Sequence, residues 1–162
     1  MIPKLEIDFR IPGISTARQM AYIIAISQAA RLVFGSIRKS RMPKRIKVTV
    51  KRLNPRRPDA NPTGAMNYHK GIILRVSDDA AKYPCLWYQR GHPEWPRIEM
   101  RDAGEALFLV AAHEFAHVAL FAEKLSTDLR YHRYPNFEEW LCENICITSL
   151  LIRRGVVSSA LL

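Results

Sequence analysis

Between Ala106 and Ala122 the only polar residues are His113, Glu114 and His117, and from Glu105 to Glu123 the chain holds neither proline nor glycine. Good helix formers fill this stretch, and Asp102 followed by Glu105 supplies a capping-box start. The sequence therefore predicts a helix of several turns from about Ala103 to Lys124. A helix that is apolar on nearly every side is a buried one, so the rest of the chain must wrap it. Burial also leaves three polar side chains in need of partners, at a cost of about a few kcal/mol each if none is found. Residues four apart on a helix lie one turn above each other, so both imidazoles reach a single ion. A bound metal would satisfy all three groups.

The run His113-Glu114-Phe115-Ala116-His117 is an HExxH pattern. Five histidines and nine glutamates placed at random would produce it on the order of 0.01 times per chain. In this pattern the two histidines hold a zinc ion (Zn2+), and Glu114 takes a proton from the water that the metal has acidified. Catalytic zinc has three protein ligands and one open position. His132, Glu139 and Glu143 are the downstream candidates for the third. Glu143 leads, because it falls in a helical stripe with Trp140, Ile147, Leu150 and Leu151, where a buried carboxylate needs a positive partner. Glu139 is assigned to the start of that helix, as box partner of a cap at Asn136. His132, fifteen residues after His117, keeps a second ligand set open. Tyr131, His132, Tyr134 or a nearby arginine could stabilise an oxyanion, with His132 and Tyr134 preferred as secondary catalytic residues. His69 and His92 read as loop or packing residues.

The rest of the chain reads as one α+β domain over 1–162. A helix runs from Thr16 to Phe34, opened by Thr16 and Gln19 and presenting Met20, Ile23, Ile24, Ala30, Val33 and Phe34 to a sheet. Strict alternation from Arg45 to Arg52 gives a strand with one wet face. A loop with a turn at Thr63-Gly64 follows, then strands at 71–77 and 96–101, making a small mixed three-stranded sheet. An edge strand beside a metal site is a place for an extended peptide to bind. The last helix runs to about Arg154 and stops before Gly155.

A formal charge of +10 and a pI of about 9.9 concentrate in clusters such as Arg38 to Arg57, which could contact nucleic acid. No reading motif for DNA or RNA accompanies them, and a solvated face is the plainer account. Cys85, Cys142 and Cys146 are an odd set outside any disulfide framework, which points to a reducing cytoplasmic setting. The N-terminus has no signal-peptide pattern. The apolar run from Met20 to Ile26 is too short to span a bilayer, so no membrane association is expected.

His113-Glu-x-x-His117 with a glutamate on the following helix resembles the gluzincin metallopeptidases, both the minimal forms and the ImmA/IrrE-type proteins. Glu143-Asn-Ile-Cys-Ile-Thr-Ser-Leu-Leu is similar to their third-ligand segment, although Asn144 and Ala116 depart from the alanine and glycine common there. The resemblance covers roughly 97–154. It implies a zincin-like domain made of an N-terminal helix, a small sheet, the HExxH helix and a glutamate helix, with peptide hydrolysis as its activity. With His132 as ligand the chain instead resembles SprT-like (Spartan-type) proteases, which digest protein crosslinked to DNA. A third possibility is a non-catalytic module that binds nucleic acid or protein through its basic face.

Overall fold

The computed structural model describes residues 2–35, 42–54, 61–67, 71–88, 92–123 and 136–158. Strand β1 (Lys4–Arg10) leads through helix α1 (Thr16–Gly35) to β2 (Arg45–Arg52), and β3 (Thr63–Asn67) precedes β4 (Gly71–Val76). The short strands β5 (Cys85–Trp87) and β6 (Ile98–Met100) come before α2 (Ala103–Ala122), and α3 (Phe137–Arg153) follows it. The molecule is mixed α+β.

The main sheet has four strands in the order β1-β2-β4-β3 rather than three. β1 runs parallel to β2 and β2 parallel to β4, while β3 lies antiparallel to β4 at the edge. The strand expected at 96–101 is not part of this sheet, because β6 pairs with β5 in a separate two-stranded ribbon. Besides β5, two strands of the main sheet escaped the sequence reading. In β1, Leu5, Ile7 and Phe9 alternate with charged residues, a period-two signal masked by its brevity and charge. β3 has only Ala65 and Met66 as apolar residues, so it becomes a strand by pairing rather than by pattern.

Register puts one apolar face together. Leu5, Ile7 and Phe9 stand beside Ile46, Val48 and Val50, which in turn meet Ile72 and Leu74. Val48, Val50 and Leu74 are fully buried. The helices cover this face, with Tyr22 of α1 against Phe9 and Phe34 of α1 against Phe115 of α2, ring centroids 6.4 and 5.3 Å apart. α2 is long and apolar enough to cross a bilayer, but 78% of that stretch is buried inside the protein, so it is the core helix.

The inward face of α1 differs from expectation, and on α3 the expected stripe is buried at Glu143, Ile147 and Leu150 but not at Trp140. Met20 and Ile24 of α1 are more than half exposed, at 53% and 52%, while Ala25, Ile26, Ala29 and Ala30 face inward. Small side chains permit close approach to α2 and win over bulkier apolar ones. On α3, Trp140 turns outward and Cys142, Glu143, Cys146 and Leu150 turn inward. The α1 start also differs: Ser15, one residue before the helix, accepts the Gln19 amide through its carbonyl and the Arg18 amide through its hydroxyl.

Candidate metal centre

The site is built where α3 crosses α2. Asp102 caps α2 by accepting the Glu105 amide at 2.8 Å, and the helix then carries His113, Glu114 and Phe115 into the core. His113 and Glu114 are 7% and 5% exposed. The two imidazoles stand 5.0 Å apart between ring centroids, at 73°.

The first turn of α3 supplies the missing carboxylate. Asn136 stands at its cap but makes no side-chain capping bond. Glu139 is not spent on the helix start: its Oε2 lies 3.4 Å from His113 Nε2 and its Oε1 3.4 Å from His117 Nε2. His113, His117 and Glu139 form a group able to hold a metal ion. Ligand atoms about 2.0–2.1 Å from a tetrahedral centre are spaced by about 3.3–3.4 Å, whereas charge-assisted hydrogen bonds are shorter, about 2.7–2.9 Å. The observed spacing fits an ion between the groups better than a hydrogen bond joining them.

Glu143, the expected third ligand, does not join both histidines. It is completely buried one turn further along α3, where its Oε2 accepts the Trp87 indole N–H at 2.7 Å. It shares a second group with His113 and Cys146, whose ligand atoms lie within 4.8 Å of one another. The buried stripe of α3 runs through Cys142, Glu143, Cys146, Ile147 and Leu150, and Glu139, partly exposed, stands at the open end of the site. Burial and the adjacent Glu143 carboxylate hold the Cys146 thiol well above its usual pKa, so it stays a hydrogen-bond donor to Glu143.

A third carboxylate completes the surroundings: Glu138 Oε1 meets His117 Nδ1 at 2.9 Å. Burial works to lower the His117 pKa, but contacts with the Cys142 thiol and the Glu139 and Glu138 carboxylates outweigh it and push the imidazole up to about 12. The same contacts with His113 and His117 hold the Glu139 carboxyl well below the usual range. His113 Nδ1 and Glu143 Oε1 are buried without hydrogen-bond partners.

Glu114 lies against β3 of the sheet. A methyl group at Gly64 of β3 would overlap its carboxylate, so the missing side chain at Gly64 is what makes room for it. Burial raises the Glu114 pKa, against the pull of His113 and His117. The turn expected at Thr63-Gly64 is therefore an edge strand lying against the centre.

His132 and Tyr134, with Tyr131 and His69, lie outside the described residues. His92 is a packing histidine, stacked on Trp95 at 4.0 Å between centroids and 3.2 Å from Glu94 Oε1. Part of the basic surface is paired, Arg45 with Glu6 at 3.7 Å and Arg52 with Asp78 at 2.9 Å. The three cysteines are free thiols.

No protein-family model, curated protein or solved structure matches the chain.

Proposed function

We propose that this protein is a zinc-dependent, zincin-like metallopeptidase in which His113, His117 and Glu139 hold the ion. The observation that carries this reading is the convergence of both Nε2 atoms on the two oxygens of one carboxylate, with Glu114 next to them in the chain and buried. Zinc bound there would supply an acidified water and polarise the substrate carbonyl. Glu114 is the residue that would accept a proton from that water and return it to the departing amine. Glu138 fixes the ring of His117 through Nδ1, and Glu143, held by Trp87, lies close to His113 without a hydrogen bond to it. β3 pairs with β4 on one side only among the described residues, so its outer edge is open for an extended peptide next to Gly64 and Glu114.

The test is metal analysis together with hydrolysis of an unfolded polypeptide. Glu114→Gln is expected to retain zinc and lose cleavage, and Glu139→Ala to lose zinc while His132→Ala keeps it. Loss of zinc in His132→Ala with retention in Glu139→Ala would favour the SprT-like ligand set instead. Zinc retention with no cleavage by the native protein would favour a binding module.

A further inference from the structure

His113 belongs to two clusters. With His117 and Glu139 it forms the centre described above, and with Glu143 and Cys146 it forms another, whose ligand atoms all lie within 4.8 Å of one another. The second cluster is the drier one: His113 is 7% exposed, and Glu143 and Cys146 are completely buried. It also holds a donor type that the first lacks, a sulfur.

Two polar atoms of this cluster are buried without a partner, His113 Nδ1 and Glu143 Oε1. A histidine that binds metal through one ring nitrogen ordinarily donates the other N–H to a carboxylate, a carbonyl or water, which fixes its tautomer. His113 Nε2 faces Glu139 at 3.4 Å, and Nδ1, the remaining nitrogen, donates to nothing. Glu143 is under-supplied in the same way. Its Oε2 accepts the Trp87 indole N–H at 2.7 Å and faces Cys146 Sγ at 3.6 Å. Neither neighbour brings a positive charge, and a buried carboxylate without one is costly.

A cation answers all three groups at once. In a tetrahedral zinc site thiolate sulfur lies at about 2.3 Å and carboxylate oxygen at about 2.0–2.2 Å, so two such ligands stand about 3.6 Å apart. That is the spacing of Cys146 Sγ and Glu143 Oε2. Nitrogen, oxygen and sulfur together suit a borderline-soft divalent ion rather than a hard one such as magnesium or calcium.

We propose that His113 Nδ1, Glu143 and Cys146 form a second, weaker zinc site, with the His113 ring shared between two ions and a water in the fourth position. The inference rests on the reading of the first centre only through that shared ring. Binding releases the Cys146 thiol proton and the His113 Nδ1 proton to solvent. The ligand charges then balance, because two divalent ions face the Glu139 and Glu143 carboxylates, the Cys146 thiolate and the His113 imidazolate. The site is the weaker one because it fills against those protons and beside an ion already in place.

Cobalt(II) is the probe, because a thiolate ligand gives it an intense near-ultraviolet charge-transfer absorption that nitrogen and oxygen ligands do not. Titrated with cobalt, the metal-free chain should bind two ions, and that absorption should appear with the second equivalent. In Cys146→Ser the absorption is lost and one ion remains bound. In Glu139→Ala, which removes the first site, the absorption is retained and appears with the first equivalent. One cobalt per chain without the absorption would overturn the second site and leave the proposed function standing. Persistence of the absorption in Cys146→Ser would assign the sulfur to Cys142 and overturn the inference. Its appearance with the first equivalent in the native protein would overturn both the second site and the ligand set of the first. The native titration decides the matter whether or not either variant folds.

Discussion

Glu114 and Gly64 form a lock between two elements: the carboxylate occupies the volume that any other residue at position 64 would need. In Gly64→Ala the methyl must push Glu114 aside while His113, His117 and Glu139, the proposed ligands, are untouched. Displacing a catalytic group by about 1 Å costs roughly 100-fold in rate, so kcat/KM should fall by about that factor with zinc content still one per chain. Native kinetics in that variant would remove Glu114 from the mechanism. Glu143 makes a separate prediction. Glu143 lies beside His113 without a hydrogen bond to it, so Glu143→Gln should weaken binding of the first zinc in chelator competition by at most about 10–100-fold, the effect of a group outside the ligand set, whereas Glu139→Ala should abolish it. Equal losses in the two variants would make Glu143 a ligand of that same ion. The HExxH residues were legible from chemistry and spacing, but the choice between Glu139 and Glu143 was not. One turn of helix separates the two, and only the rotation of α3 about its axis decides which oxygen reaches both imidazoles.

At the level of elements, the start of α2 is fastened to the end of α3. Arg154 Nε donates to Glu105 Oε1 at 2.9 Å and its Nη2 also reaches Oε2, while the Arg101 amide donates to Oε2 at 2.8 Å. Burial works to raise the Glu105 pKa, but the Arg154 guanidinium and the Arg101 amide outweigh it and hold the carboxyl below its ordinary value. A carboxylate whose folded pKa is depressed stabilises the fold fully above the unfolded pKa, about 4.3, and loses that contribution as pH falls through the folded value. Glu105→Gln should therefore cost about 2–4 kcal/mol in urea unfolding at pH 7, by leaving Arg154 without its counter-charge. The gap between variant and native should narrow as pH drops below about 4. A pH-independent gap would mean the loss is one of packing rather than charge. The sequence pointed to Asp102 and Glu105 as a local capping box, and the Asp102 half of it is present. That Glu105 also serves Arg154, 49 residues away, depends on how two helices dock.

For the whole molecule, the proposed ion joins the core helix to α3, so its binding free energy is folding free energy as well. At zinc about 1,000-fold above Kd the gain is about 4 kcal/mol, worth roughly 10 °C in melting temperature for a chain of this size. Chelator-treated protein should melt lower by about that amount and recover on adding zinc. Coincident melting curves with and without the metal would contradict a site bridging the two helices. The sequence alone determined that α2 is buried, that it carries two imidazoles and a carboxylate in need of partners, and that β2 and β4 are strands, β2 with one wet face. Those properties are local: composition and period within a single element set them. The tertiary structure alone decided that β3 is the edge strand against Glu114, that α1 turns its alanines inward, and that the Glu139 carboxylate faces both imidazoles. Each of these depends on which surfaces meet, and close packing between elements outweighs the pattern written in any one of them.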